Sequence, residues 1–157
     1  MTVHAWRIVK ARHAATAFSG DGAKLHEGRW NSAGQNMVYT AGTTSLAMLE
    51  MLVHLQRETL LNRYALFEVQ FDAEFMSAID VKTLPKNWRA SPPPESVQRM
   101  GDLWLAESRS AVLRVPSVIV PNESNYMLNP AHPRFSEIEL SQPLGFEFDV
   151  RLLARTQ

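Results

Sequence analysis

The sequence predicts a mixed α+β fold in one compact domain. Candidate strands and helices do not alternate as regular βαβ units, which disfavours a doubly wound parallel sheet. The 157 residues suit a single domain, taken as residues 1–157. The composition, 45% apolar and 20% charged, is that of an ordinary globular chain. A chain of this length buries a self-sufficient core without disulfides or structural metal.

Residues 3–9 alternate His4, Trp6 and Ile8 against Val3, Ala5, Arg7 and Val9, the pattern of a half-buried opening strand. A Gly-punctuated stretch follows, with Gly20, Gly22, Gly28 and Gly34, and reads as a loop carrying Arg29, Trp30 and Asn31. A second short strand is expected over 36–41. After Gly42, the hydroxyls of Thr43, Thr44 and Ser45 suit a helix N-terminus, and Leu46, Leu49 and Val53 recur at helical spacing. Residues 64–71 alternate Ala65, Phe67, Val69 and Phe71 with polar or mixed neighbours, as a strand does. The segment 84–94 holds Pro85, Pro92, Pro93 and Pro94 and must be a loop, with Pro94 well placed to start a helix. Val97, Met100, Leu103, Trp104 and Ala106 form that helix's apolar stripe, with Gly101 as a local weakness. A β-branched run over 112–120 and an alternating segment over 147–153 complete the strands. The stretch 125–133, rich in amides and turn formers, reads equally as a structural corner or a ligand loop.

Several function classes fall away on composition. Sixteen Lys and Arg balance sixteen Asp and Glu, so the chain lacks the cationic excess of a nucleic-acid binder, and DNA contact is expected only through a partner. With no cysteine, thiolate nucleophiles and Cys-based zinc sites are excluded. Arg7, Lys10, Arg12 and His13 interrupt any leader-like apolar run, and the apolar segment 46–55 contains Glu50 and His54 and is too short to span a bilayer. The expected location is the cytoplasm, away from membranes.

Glu50 is the residue whose setting asks for an explanation. Its helical neighbours are Leu46, Ala47, Val53 and His54, and a carboxylate on so apolar a surface needs a partner or a function. It reads either as a rim pair with His54 or as a catalytic carboxylate facing a cleft. Glu50 and His54 also have the spacing of two metal ligands on one helix turn, but no third ligand is evident and no metal is expected. Arg29, in Gly28-Arg29-Trp30-Asn31, is either a solvated loop cation or a planar clamp for an anion such as pyrophosphate. Tyr39 stands just before the turn into the Glu50 helix, as core or as one wall of a shared cleft. Ser117 places a hydroxyl in an apolar strand, where a bond to nearby backbone is the plain reading. No Gly-x-Ser-x-Gly surrounds it, which disfavours a serine hydrolase.

Taken in order, Gly28-Arg29-Trp30-Asn31, Val38-Tyr39-Thr40-Ala41 and Ser45-Leu46-Ala47-Met48-Leu49-Glu50 resemble the RES domain, a family named for its Arg, Glu and Ser. The resemblance continues through Pro85-Lys86-Asn87-Trp88-Arg89, Gly101-Asp102-Leu103-Trp104-Leu105, Val115-Pro116-Ser117, Asn125-Tyr126, His132-Pro133 and Phe148-Asp149-Val150-Arg151-Leu152. It spans nearly the whole chain.

That resemblance implies a toxin of a bacterial type II toxin–antitoxin pair, with a fold similar to ADP-ribosyltransferases of the diphtheria-toxin type. NAD is the implied substrate, cleaved with water or phosphate as acceptor or used to transfer ADP-ribose to a protein. The family's Arg, Tyr, Glu and Ser fall on Arg29, Tyr39, Glu50 and Ser117. Arg29, Tyr39 and Glu50 are then the catalytic set, and Arg29, Tyr39, Ser117 and Asn125 the NAD-binding set. The implied partner is a cognate Xre-type helix-turn-helix antitoxin that supplies DNA binding. A homodimer stays open, since the Val97 to Trp104 stripe serves equally as core or as interface. Two other classes remain: a non-catalytic nucleotide-binding module, and a metal-dependent hydrolase using Glu50, His54 and His132.

Overall fold

Nine residues form the long strand β1 (Thr2–Lys10), which pairs antiparallel along its whole length with β3 (Tyr64–Asp72), Thr2 opposite Asp72 and Lys10 opposite Tyr64. Its other edge meets the short β2 (Val38–Ala41). We describe residues 1–55 and 62–155 of a computed structural model. β1 is central rather than a half-buried opening strand. Ala5 packs in one apolar cluster with Val38, Val69 and Leu128, while Ile8 packs in another with Leu46, Ala47 and Tyr64, so both sets of its alternating residues meet core.

Among the described residues five strands lie beyond these. β4 (Met76–Ala78) pairs parallel with β5 (Val112–Pro116), β5 pairs antiparallel with β6 (Ser124–Leu128), and β6 joins β2. β7 (Glu139–Leu140) and β8 (Leu144–Phe146) pair with β3. The sheet order is β4-β5-β6-β2-β1-β3-β7, with β8 also on β3. The mixture of antiparallel ladders with one parallel pair, β4 and β5, matches the expected α+β class.

Among the described residues three α-helices pack on this sheet. α1 (Asp21–Leu25) follows Gly20, whose φ of 78° turns the chain into it; the sequence expectation of a continuous loop over 20–34 missed this turn and a half of helix. α2 (Thr44–Leu52) starts where expected, the Thr43 side chain accepting from the Leu46 amide and Leu46 and Ala47 entering the core. α3 (Glu95–Glu107) starts after Pro94. Its buried face is Val97, Gln98, Gly101 and Trp104, whereas Leu103 is 53% exposed and Ala106 is exposed. Gly101 is therefore no weak spot: a Cβ there would lie 1.7 Å from the Trp30 carbonyl oxygen, so the helix approaches that backbone closer than any side chain allows.

Two expected strands are corrected. The run over 112–120 leaves the sheet at Ser117, because its hydroxyl accepts from the Ile119 and Val120 amides, both at 3.1 Å, and turns the chain. The segment 147–153 is not a strand: Asp149 accepts from the Arg151 amide and residues Val150–Arg155 form a 3-10 turn. Its one aromatic, Phe148, instead wedges edge-on between strand residues, 4.9 Å from Tyr64 of β3 and 5.2 Å from Phe146 of β8 between ring centres. Conversely, Asn125 to Leu128 of the stretch read as a corner or a ligand loop belong to β6. No helix among the described residues is long and apolar enough to cross a membrane.

Candidate active site

A cleft of about 700 Å³ opens between α2, the loop after α1, the ends of β1 and β2, and the segments around 89–93 and 116–119. Arg29, Tyr39, Glu50 and Asn125 all line it; Ser117 does not.

Glu50 sits near the C-terminal end of α2, one turn beyond the anchoring Leu46 and Ala47. Its Oε1 accepts from Ser117 Oγ at 3.0 Å and from Asn125 Nδ2 at 2.8 Å. Oε2 makes no hydrogen bond among the described residues, so one oxygen is fixed and the other is available to the cleft. No ion pair joins Glu50 to His54 among the described residues, which corrects the rim-pair reading. Ser117 is 0% exposed and stands behind Glu50, holding it rather than facing the cleft. Asn125, on β6 opposite Ala41 and Val115, turns its amide nitrogen to Glu50 and leaves Oδ1 buried without a hydrogen-bond partner among the described residues. An orphaned acceptor costs about 1–3 kcal/mol, a sacrifice that makes sense where the donor end must meet a carboxylate.

Arg29 lies in a turn closed by Gly28 and Asn31. Its Nη1 donates to the carbonyls of Trp88 at 2.9 Å and Ala90 at 2.8 Å. Burial lowers the Arg29 pKa, while the nearby Glu50 carboxylate and Tyr39 phenol raise it. The Tyr39 hydroxyl donates to Asn31 Oδ1 and accepts from the Trp30 amide at 3.2 Å. Burial raises the phenol's pKa above its ordinary value, against the Trp30 amide, so it stays neutral. Tyr39 thus locks the Arg29 turn through its hydroxyl. Gly28 is required there, since a Cβ would lie 2.5 Å from that hydroxyl. From the other side α3 braces the same turn: Gln98 Nε2 donates to the Gly28 carbonyl at 2.9 Å, and Asp102 accepts from the Ser32 amide and hydroxyl.

Sequence reasoning did not single out Arg7 and Arg89. Arg7 donates to the carbonyls of Ala17 at 2.7 Å and Tyr39 at 2.9 Å, lines the cleft, and has no acidic partner among the described residues. Burial lowers its pKa to about 10, which leaves it charged at neutral pH. Arg89 lines the cleft and donates from Nε and Nη2 to the Val118 carbonyl. An Arg in a strand otherwise rich in apolar residues was the one available signal for Arg7; Arg89 lay within a recognised motif but carried none of its own. His54 lines the cleft, whereas His132 accepts from the Arg134 amide in a separate loop. Among the described residues no group of three potential metal ligands occurs.

Three guanidinium groups and one half-tethered carboxylate therefore share a cleft of dinucleotide size. Residues 4–149 match the RES domain family. The chain belongs to that family. The RES chain is 40% identical over 148 residues to Toxin Res of Yersinia enterocolitica, covering 94% of this chain and 97% of that protein. It is also 40% identical over 161 residues to the Prs ADP-ribosylating toxin of a Sphingobium species, with 99% of each covered. Among solved structures its fold matches a chain of the M. tuberculosis MbcT–MbcA toxin–antitoxin complex, with a TM-score of 0.74, 16% identity, and 94% of this chain and 85% of that one covered.

Proposed function

We propose that this RES chain is the toxin of a type II toxin–antitoxin pair, and that it binds NAD in the cleft and breaks the bond between nicotinamide and ribose. The observation that carries this reading is the Glu50 carboxylate, held through one oxygen by Ser117 and Asn125 and lining a cleft that Arg7 and Arg29 also line. A Sphingobium relative named as an ADP-ribosylating toxin supports NAD as the substrate.

The chemistry suits these groups. Nicotinamide leaves as a neutral molecule, so no strong general acid is needed, while positive charge develops on the ribose as in other oxocarbenium-like transition states. A fixed carboxylate beside that charge stabilises it selectively, an effect typically worth a few kcal/mol. Arg29 and Arg7 present guanidinium edges suited to the pyrophosphate, and the neutral Tyr39 ring offers a face to the nicotinamide. Ser117 and Asn125 serve the reaction by fixing Glu50. No metal takes part in this scheme.

On this reading the sheet is that of the diphtheria-toxin-like ADP-ribosyltransferases, residues 1–157 act as a single domain in the cytoplasm, and an Xre-type antitoxin neutralises it and makes any DNA contact. The matched structure is of a toxin–antitoxin complex, which supports an antitoxin partner. The name of the Sphingobium relative favours a second reading, transfer of ADP-ribose to a protein side chain.

The deciding experiment incubates purified, antitoxin-free protein with NAD, with and without phosphate, and identifies the products by mass. Free nicotinamide with ADP-ribose or its phosphate is the expected result and names the acceptor. Intact NAD with folded protein would overturn NAD cleavage and leave protein transfer or a binding module. Arg29→Ala should weaken ADP-ribose binding at least tenfold by calorimetry, and unchanged affinity would remove Arg29 from the phosphate site.

A further inference from the structure

A strap crosses one side of the cleft. It is the proline-rich segment before α3, and two arginines latch it over residues 88–90: Arg29 donates to the Trp88 and Ala90 carbonyls, and Arg89, from the strap itself, donates to the Val118 carbonyl at 3.2 Å from Nε and 2.8 Å from Nη2. Val118 follows Ser117, where β5 has left the sheet. In that turn the Ser117 hydroxyl accepts from the Ile119 and Val120 amides and donates to Glu50.

Arg89 is exposed and makes no ion pair among the described residues; its fork is spent on one main-chain oxygen. Among the described residues no backbone amide reaches the Val118 carbonyl, so Arg89 is that oxygen's hydrogen-bond donor. Among the described residues, the turn that carries Ser117 is otherwise held by its own Oγ contacts, by the Ser117 amide donating to the Glu123 carbonyl and by the Glu123 amide donating to the Val120 carbonyl, none of which reaches the Val118 carbonyl. A charge-assisted bond is stronger than a neutral one and fixes direction.

We propose that Arg89 is a positioning residue for Glu50, acting through the Val118 carbonyl and the turn that holds Ser117. This rests on Glu50 being the carboxylate of NAD cleavage. Displacement of a reacting group by about 1 Å can cost on the order of a hundredfold in rate, so releasing the turn affects the chemical step more than binding.

Arg89→Ala, with the wild-type thermal midpoint confirmed, should lower kcat for nicotinamide release by about 10- to 100-fold. Its Kd for ADP-ribose should stay within about threefold, and Arg89→Lys, which keeps one donor for the carbonyl, should recover most of the rate. If the alanine variant loses the wild-type midpoint, Arg89→Gln takes its place. Amide hydrogen exchange at Ile119 and Val120 should rise at least tenfold, a readout independent of catalysis. Unchanged exchange overturns the proposal, as does a tenfold weaker Kd with intact kcat, which would make Arg89 a phosphate ligand. Faster exchange in Arg89→Ala together with undiminished NAD loss in Glu50→Gln would instead sink the catalytic reading of Glu50 and leave the hold of Arg89 on the turn standing.

Discussion

Glu50→Gln should lower NAD cleavage by about 100- to 1,000-fold, the range seen when a single transition-state electrostatic contact is removed, and leave the unfolding midpoint close to that of the wild type. The expectation follows from how the carboxylate is held. Both donors, Ser117 Oγ and Asn125 Nδ2, converge on Oε1, so a glutamine can present its carbonyl oxygen to the same two partners. What changes is the other edge: Oε2, which makes no hydrogen bond among the described residues, becomes an NH₂ group, an uncharged donor with no attraction for a developing ribose cation. Ground-state binding should move little, because ADP-ribose meets Arg29 and Arg7 rather than this charge. A Kd for ADP-ribose within about threefold of wild type, with kcat reduced, would separate chemistry from binding. Equal nicotinamide release by the two proteins would remove Glu50 from the mechanism.

The elements that local pattern can specify were legible in the sequence. The Thr43 cap, the Leu46 and Ala47 anchor of α2, the alternation of β3 and the proline-delimited start of α3 each depend on residues within one or two turns of one another. The four residues that the resemblance singled out lie in an ordered series of motifs, and the structure gathers Arg29, Tyr39 and Glu50 on one cleft with Ser117 behind them. What was not legible depends on distant partners. β6 consists of residues with turn-forming neighbours, and it is a strand because β2 and β5 supply ladders on both sides. Phe146 closes β8 and Phe148 continues its alternation, yet the chain leaves the ladder there and Phe148 packs edge-on against Tyr64 and Phe146. Arg7 looks like the polar member of an alternating strand until the carbonyls of Ala17 and Tyr39 are seen to hold it against the cleft. The role of Ser117 likewise shifts with geometry: a hydroxyl that the family resemblance assigns to NAD binding is fully buried and donates to Glu50.

Gly101→Ala should destabilise the protein by about 2 kcal/mol or more, although alanine in a helix interior normally gains about 0.5–1 kcal/mol over glycine. The two effects oppose each other, and their sizes decide the sign. The added methyl would sit 1.7 Å from the Trp30 carbonyl oxygen and 2.8 Å from its carbonyl carbon, both main-chain atoms with no rotamer to yield. Either α3 or the turn carrying Arg29 must move, and overpacking of this kind typically costs 1–3 kcal/mol and occasionally more. The turn has little freedom, since Gln98 and Asp102 on α3 and Tyr39 on β2 all hydrogen-bond to it. For a chain of this size each kcal/mol shifts the melting midpoint by roughly 2–4 °C, so a drop of about 4–8 °C in thermal unfolding is expected. The same displacement would carry Arg29 away from the Trp88 and Ala90 carbonyls and weaken ADP-ribose binding in the protein that remains folded. A midpoint equal to or above wild type would mean that helix and turn separate at negligible cost, and that the close approach at Gly101 does not set the position of Arg29.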